Sequence, residues 1–400
     1  MITEKDIENQ LDFEVNRSDI IIGAIAGDMI GSLYEFSSIK TVDFPLFSKE
    51  SHFTDDTVMT IAVLEALLDF DKLYGFYQRG GFDLEKLKDL FVSSMKSYGA
   101  LYPKAGYGER FSRWLTSGSR EPYNSFGNGA AMRVSPVGAY FYNSKYVEKV
   151  AAASAAVTHN HPEGIKGAKA AADAILYASH RWQPIKDKHE IMDVITTKYG
   201  YNLDRAIDEI RPDYEFDVTC QGSVPEAITC FLQADCFEEA VRLAVSLGGD
   251  SDTQAAIAGS IAAARYGVPE RIKAEVIKRL PDDLLAVYYR FDEETNPVKI
   301  AQHVREFEEE RRGRISPQLF AFIIECLGKW KSETSADVWE VLRNAEAIEC
   351  HHGLGMWIRN TYLWKNEKLQ AEFFNAGYYH VDDMSNVMIE IWIEELNKTE

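Results

Sequence analysis

The feature that most constrains this chain is a set of long, almost wholly apolar segments with helical composition. Apolar residues dominate positions 55–70, and alanine-rich segments recur at 147–157, 167–179 and 253–265. Alanine has the highest helix propensity, and its small side chain allows helix axes to approach closely. Runs of alternating apolar and polar residues of strand length are scarce. The sequence therefore predicts an all-α fold with a compact multi-helix body.

Composition divides the chain of 400 residues into two parts. A polar, acidic segment at 292–296 ends at Pro297, as linkers and loops often do. The last hundred residues hold five of the seven tryptophans and lack the alanine-rich segments. We therefore expect a main domain over residues 1–295 and an accessory helical module of unknown function over residues 300–400. Core packing is the commonest role for such tryptophans, and a docking face for a partner is the alternative.

Charge and apolar patterning restrict the compartment and the partners. The chain has 63 Asp and Glu against 43 Lys and Arg, which leaves a net charge of −20. A surface this acidic repels phosphate backbones, although a local pocket can differ from the surface at large. We find no signal-peptide pattern, no apolar run longer than residues 20–26 and no CxxC pair among the five cysteines. We expect a cytoplasmic protein with reduced thiols that neither contacts a membrane nor binds nucleic acid non-specifically.

Two short acidic motifs stand directly before apolar helical segments. They are Thr-Asp-Asp-Thr at 54–57 and Gly-Gly-Asp-Ser-Asp-Thr at 248–253. Thr and Asp are good helix N-cap residues, which explains one acid in each motif and leaves the others unexplained. Hard divalent cations prefer oxygen ligands, and four buried carboxylates brought together require a cation or protonation. One metal ion or a carboxylate-bridged pair would meet that requirement.

Three further features have both a structural and a functional explanation. Glycines recur every four residues at 23–31, which suits close helix packing, and Glu35 continues the spacing. The glycine-rich segment 125–133 suits either a turn or a loop that brings backbone amides to a phosphate. His159 and His161 follow an alanine-rich segment. A stacking or hydrogen-bonding role is favoured over metal ligation for these histidines, because no Cys or acid lies at a recognised zinc-site spacing.

Five motifs in order resemble those of the ADP-ribosylglycohydrolases. They read G-A-x-x-G-D-x-x-G-x-x-x-E, T-D-D-T, G-N-G-x-x-M-R, T-H and G-G-D-S-D-T, and together they span roughly two thirds of the chain. The resemblance implies an all-α fold, a binuclear magnesium or manganese centre, and removal of ADP-ribose from modified targets. Cleavage at the anomeric carbon passes through an oxocarbenium-like state, which requires an oriented ribose and an activated water.

The resemblance also implies roles for individual residues. Glu35 and Asp56 would be catalytic, and either carboxylate could take the proton from water. The implied metal ligands are Thr54, Asp55, Asp56, Asp250, Asp252 and Thr253. The implied substrate-binding residues are Ser125, Phe126, Gly127, Asn128, Gly129 and His159.

The leading hypothesis is a hydrolase, dependent on two Mg²⁺ or Mn²⁺, that releases ADP-ribose from a protein side chain, a nucleic acid or a small conjugate. An ADP-ribose-binding or toxin-immunity protein and a two-metal phosphohydrolase are the alternatives. Some arginine-directed members carry an acid in the segment matching 105–108, where this chain has Tyr107 and no acid. The linkage is therefore left open. The segment 352–359 is similar to an uncharacterised bacterial accessory module, through which a partner would bind.

Overall fold

The computed structural model describes residues 15–75, 83–179, 187–296, 311–345, 350, 354–364, 366–378 and 381–398. Backbone contacts divide the chain into two compact units, Met1–Ile300 and Ala301–Glu400. Within the described ranges the regular structure is helical, and β-structure is limited to an isolated bridge between Gly127 and Thr219. The predicted all-α fold is confirmed. Pro297, at the end of the predicted linker, lies outside the described residues.

The first unit is a succession of helices, several of which begin at a side-chain cap. Asn16, Thr54, Asp83, Asn143 and Asp187 each accept a hydrogen bond from a backbone N–H in the first turn that follows. None of the helices in the described part of the chain is long and apolar enough to cross a bilayer. In order the helices are α1 (Arg17–Gly31), α2 (Asp55–Tyr74), α3 (Leu84–Leu101), α4 (Glu109–Thr116), α5 (Gly129–Met132), α6 (Ser135–Tyr140), α7 (Ser144–Ala156), α8 (Pro162–Ala178), α9 (Lys188–Tyr199), α10 (Ile207–Ile210), α11 (Cys220–Gln233), α12 (Phe237–Ser246), α13 (Ser251–Tyr266), α14 (Glu270–Ile277) and α15 (Asp282–Thr295).

Helices α1 and α13 form the central pair of the first unit, and both are buried over almost their whole length. The recurring glycines of α1 allow this contact. A Cβ on Gly27 would lie 2.0 Å from the carbonyl oxygen of Ala255, and a Cβ on Gly31 would lie 2.4 Å from that of Ser251. The packing interpretation of these glycines is confirmed. Because Gly31 touches the first residue of α13, the same packing fixes the start of α13 against the end of α1.

The second unit has its own apolar core, in which two tryptophans stack. The rings of Trp330 and Trp392 lie 5.8 Å apart at 29°, and the indole N–H of Trp392 donates to the carbonyl of Ile323 over 2.9 Å. Trp364, by contrast, is 57% exposed. His352, in the segment similar to an accessory module, lies outside the described residues. The helices are α16 (Pro317–Glu333), α17 (Ala336–Arg343), α18 (Met356–Ile358), α19 (Glu367–Asn375) and α20 (Val381–Asn397), with a π-helical turn at Arg359–Leu363.

Candidate active site

A cavity of about 330 Å³ lies in the first unit beside the starts of α2 and α13. Thr54 and Phe126, two of the predicted site residues, are not part of its lining. Thr54 is buried, and Phe126 is 41% exposed with its ring centroid 5.3 Å from that of His161. The other predicted residues all line the cavity: Glu35, Asp55, Asp56, Ser125, Gly127, Asn128, Gly129, His159, Asp250, Asp252 and Thr253.

The two acidic motifs, which are far apart in the chain, meet at this cavity. The hydroxyl of Thr253 donates to Oδ2 of Asp56 over 3.2 Å, across 197 positions of sequence. Glu35, Asp250 and Asp252 each place a carboxylate oxygen within 4.8 Å of the others. Both motifs and Glu35 therefore contribute to one cluster of oxygen atoms.

Asp28 holds the first motif in place, a role that the sequence analysis missed. Its fully buried carboxylate accepts from the backbone N–H groups of Thr54 (2.9 Å) and Thr57 (3.0 Å), and from both of their hydroxyls. Burial and then the charge of Asp252 raise the pKa of Asp28 to about 7, against the opposing effect of the hydrogen bonds from Thr57 and Thr54. The signal for this residue was a single acid within the otherwise apolar stretch 20–31 of α1.

The remaining carboxyls of the cluster also have raised pKa values. Burial raises the pKa of Asp55, Asp56 and Asp250 well above the ordinary value of an aspartate. The charge of Asp252 is the second cause in each case. The pKa of Glu35 is raised to about 8 by the same two causes. Carboxyls in such a cluster either hold protons or require a cation beside them.

The donor set of the cluster fits a hard divalent cation. Oδ1 of Asp56 is buried without a hydrogen-bond partner, and such an atom needs either a proton or a cation to offset its desolvation. Carboxylate oxygens of Glu35, Asp250 and Asp252 lie within 4.8 Å of one another, and without a cation their repulsion is relieved by protons. A cation would replace those protons. Carboxylate and hydroxyl oxygens without sulfur or imidazole are the ligands that Mg²⁺ and Mn²⁺ prefer.

The glycine-rich loop is attached to both the protein core and the acid cluster. Asn128 donates from its backbone to the carbonyl of Val218 over 2.8 Å and from Nδ2 to Oδ2 of Asp250 over 2.7 Å. The amide of Gly127 donates to the hydroxyl of Ser125 over 3.2 Å. The backbone N–H groups of Gly127 and Asn128 already donate to acceptors within the protein, so they are not available to a ligand. The loop therefore contributes to the cavity mainly the space left by its glycines. Gly129 begins α5, which is only one turn long.

His159 is a buried, neutral histidine whose orientation is fixed from behind. The Thr158 hydroxyl accepts from the Arg133 guanidinium over 2.8 Å and lies 2.7 Å from Nδ1 of His159, so the hydroxyl and the ring share a hydrogen bond. Nε2 of His159 lies on the side of Gly127 and Gly129. Burial and the charge of Arg133 lower the pKa of His159 well below its ordinary value. This arrangement supports the hydrogen-bonding interpretation of His159 and gives no support to metal ligation.

Two further cavity residues lie outside every motif. Arg110 places its guanidinium 5.0 Å from the ring centroid of Tyr123, and that ring lies 5.9 Å from the imidazole of His159. Both residues line the cavity. No spacing in the sequence connects them with each other or with His159, so sequence reasoning missed them.

The segment at 105–108 lies beside the acid cluster and contributes a tyrosine. A Cβ on Gly106, which has a φ of +108°, would lie 3.3 Å from Oδ1 of Asp55. Burial and then the charge of Asp55 raise the pKa of Tyr107 above its ordinary range, and its buried hydroxyl has no hydrogen-bond partner among the described residues. The position at which some relatives carry an acid therefore presents a neutral hydroxyl in this protein.

Sequence comparison relates both parts of this chain to known families. The sequence profile described as ADP-ribosylglycohydrolase matches residues 18–302, and a domain of unknown function, DUF6794, matches residues 323–396. The ADP-ribosylhydrolase ARH3 of Mus musculus is 26% identical over 62% of this chain and 83% of its own length. An uncharacterised protein of Archaeoglobus fulgidus is 30% identical over 63% of this chain and 88% of its own length.

A solved structure described as an ADP-ribosylglycohydrolase-related protein complex aligns with a TM-score of 0.48 and 23% identity, over 69% of this chain and 97% of its own. The family profile covers well over half of the chain, including every motif of the cavity. The chain belongs to the ADP-ribosylglycohydrolase family, with a DUF6794 domain at its C-terminal end.

Proposed function

We propose that this protein is a metal-dependent hydrolase that releases ADP-ribose from an ADP-ribosylated target by cleaving the bond at the anomeric carbon of the ribose. The meeting of two acidic helix starts, joined by the hydrogen bond between Thr253 and Asp56, carries the proposal. Family membership supports the reaction class. A protein that only captured ADP-ribose would have no use for so many buried carboxylates, because their mutual repulsion opposes folding.

Two Mg²⁺ or Mn²⁺ ions are the proposed cofactors. When bound, they supply positive charge that offsets the carboxylates, holds ribose hydroxyls and lowers the pKa of a nearby water. The proposed ligands are Thr54, Asp55 and Asp56 from the first motif and Asp250, Asp252 and Thr253 from the second.

Glu35 is the proposed general base. Its carboxyl is only half-buried, and it lines the cavity within 4.8 Å of ligand oxygens of Asp250 and Asp252. Asp56 is almost fully buried, and its Oδ2 already accepts from Thr253. A base that takes a proton from the attacking water must reach both the water and the reacting carbon. The half-buried Glu35 is the more accessible of the two to a water in the cavity, and the buried Asp56 is better suited to holding a cation.

The opposite part of the cavity is suited to an anionic substrate. Nε2 of His159 lies beside Gly127 and Gly129, where the glycines leave room for it to hydrogen-bond a ribose or a phosphate. Arg133 is a fully buried cation, and Arg110 is a second guanidinium in the lining. These two positive charges would offset the diphosphate locally, despite the net charge of −20.

A substrate panel tests the proposal. The full chain is incubated with arginine-, serine- and nucleotide-linked ADP-ribose in Mg²⁺, Mn²⁺ or EDTA, and the products are separated chromatographically. We expect release of intact ADP-ribose from at least one conjugate in Mg²⁺ or Mn²⁺ and none in EDTA. Release of AMP would instead identify a phosphohydrolase, and binding without release would identify a capture protein. Release that persists in EDTA would contradict the metal requirement.

A further inference from the structure

A second groove begins at Glu35 and is lined by residues that, apart from Glu35, do not line the cavity. It encloses about 540 Å³, and its walls come from the segment after α1 and the segment before α11. Glu35 lines both the groove and the cavity. Since Glu35 is the proposed general base, a groove that begins at this residue is placed to receive the leaving group of the proposed reaction.

Two phenylalanines form the exposed part of this groove. Phe36 is 85% exposed and Phe216 is 49% exposed, and their rings lie 6.3 Å apart at 30° to each other. Covering an aromatic ring that is this exposed to water contributes favourably to the free energy of binding a partner. The two rings come from segments 180 positions apart, so their pairing is a feature of the folded protein.

The walls of the groove are fixed in place by hydrogen bonds. The ammonium group of Lys40 donates to the backbone carbonyls of Tyr214 and Leu247, the latter over 2.5 Å. The hydroxyl of Tyr214 donates to the carbonyl of Gly222 over 2.7 Å and accepts from the side-chain amide of Gln254 over 2.9 Å. The groove is therefore present before a partner binds, which lowers the ordering entropy that binding must overcome.

The charge around the groove is negative. Glu215 lines it, and Asp213 is exposed beside it. Lys40 is the cation of the lining, and its donors are directed at two backbone carbonyls. The nearby guanidinium of Arg211 pairs with Asp208. A phosphate backbone would be repelled here, whereas Lys and Arg side chains would find both carboxylates and aromatic faces.

We propose that the groove between Phe36 and Phe216 binds the polypeptide of an ADP-ribosylated protein, through positively charged side chains next to the modified residue. The inference rests on the proposed function, since it assigns the leaving-group side of the same site. The groove volume of about 540 Å³ exceeds what a small leaving group would fill. An oligonucleotide is the macromolecule that its charge disfavours.

Matched peptide substrates test this assignment. Peptides that carry ADP-ribose at the same residue, through a linkage that the panel shows to be cleaved, are flanked either by Lys and Arg or by Asp and Glu. A small non-peptide conjugate and an ADP-ribosylated oligonucleotide complete the set. The variants are Phe36→Ala, Phe216→Ala, the double variant and Glu215→Gln. Tyr289→Ala is the control, because Tyr289 is also exposed (41%), contacts another ring and lies on α15 outside both linings.

We expect the wild-type protein to prefer the basic peptide. The double phenylalanine variant should lower kcat/KM for that peptide roughly 10-fold through KM, with the small conjugate changed less than about 2-fold and Tyr289→Ala unchanged for both. Glu215→Gln should reduce the preference for the basic over the acidic peptide. An equal loss on every substrate, or faster turnover of the oligonucleotide that depends on Phe36, would overturn the assignment.

Direct binding separates failure of this inference from failure of the proposed function. If no conjugate is cleaved, the proposed function is wrong, and the unmodified basic peptide is then titrated against the wild-type protein and the double variant by fluorescence anisotropy. Binding that the double variant weakens would still support the groove. Binding that is absent, or equal in the two proteins, would contradict it.

Discussion

The starts of α2 and α13 have similar sequences and are held in different ways. At α2, Thr54 caps the helix, and Asp28 accepts hydrogen bonds from Thr54 and Thr57 from inside the core. At α13, Asp250 occupies the cap position without a side-chain cap hydrogen bond, and its carboxylate accepts from Asn128 instead. The first helix start is therefore anchored in the core, and the second is connected to the wall of the cavity.

This difference bears on the proposed cation site, because helix capping and cation binding would compete for the same oxygen atoms. A carboxylate that caps its own helix has fewer lone pairs left for a ligand, and a separate residue must then stabilise the helix start. At α2, Asp28 stabilises the helix start, so the carboxylates of Asp55 and Asp56 are not needed as caps. At α13 the close approach of Gly31 fixes the backbone, and Asp252 remains at the cavity.

The largest expected effect comes from removing one charge at the start of α13. Asp252→Asn should lower turnover on the order of 1000-fold, because a central oxygen ligand and its charge are lost. In EDTA its Tm should equal or exceed that of the wild-type protein, since a repelling charge has gone. Turnover assays and thermal melts of the same preparation check both. Full activity of Asp252→Asn would refute its assignment as a ligand.

The anchoring residue of α2 should behave in the opposite way. Asp28→Asn replaces an acceptor oxygen by an N–H group that faces donors from Thr54 and Thr57. We expect a loss of about 2 kcal/mol of unfolding free energy, with the first unit destabilised even in EDTA. Denaturant unfolding followed by circular dichroism measures this loss. An unchanged midpoint would show that Asp28 does not anchor the first motif.

The sequence allowed the helical fold and most of the cavity lining to be predicted, for a physical reason. Alanine-rich helices and acidic helix starts are local patterns, and local patterns can be recognised in the sequence alone. Asp28 was missed because its importance depends on Thr54 and Thr57, which reach it only in the fold. Arg110 and Tyr123 were missed because they contact each other through space and belong to no motif.

The groove shows the same limit more strongly. Phe36 follows a predicted catalytic glutamate by one residue. The sequence does not show that Phe36 pairs with Phe216, because the two rings meet only in the folded protein. The sequence does not show whether an apolar residue is exposed, and apolar residues are usually assigned to the core. Thr54 is the opposite case, because the sequence placed it among the ligands and the structure places it outside the cavity lining.

A smaller effect should appear in the pH dependence of stability without divalent cations. The carboxyls of the cluster hold protons in the folded chain at pH values where the unfolded chain has released them. Their contribution to stability therefore falls as pH rises from about 4, the ordinary carboxyl value, through about 7 for Asp28 and about 8 for Glu35. Thermal melts in EDTA should show this fall, and Mg²⁺ should raise Tm by several degrees more at pH 8 than at pH 5.

The matched variant for the pH experiment is Asp250→Asn, which removes one of the titrating carboxyls without touching Asp28. Its melts should depend less on pH over the same range, and Mg²⁺ should stabilise it less. Equal stabilisation of the wild-type protein by Mg²⁺ at pH 5 and pH 8 would contradict the coupling between proton release and cation binding.

The smallest effect should distinguish the two roles of Thr54, which caps α2 and is also a predicted ligand. Thr54→Val removes the hydroxyl that donates to Asp28 and accepts from Asp56, at a loss of about 1 kcal/mol in EDTA. If the same oxygen also binds a cation, the loss should be larger in Mg²⁺, and Thr54→Ser should restore stability under both conditions. Melts of both variants with and without Mg²⁺ measure this. Equal losses would restrict Thr54 to capping, so that the ligands at α2 would be its aspartates alone.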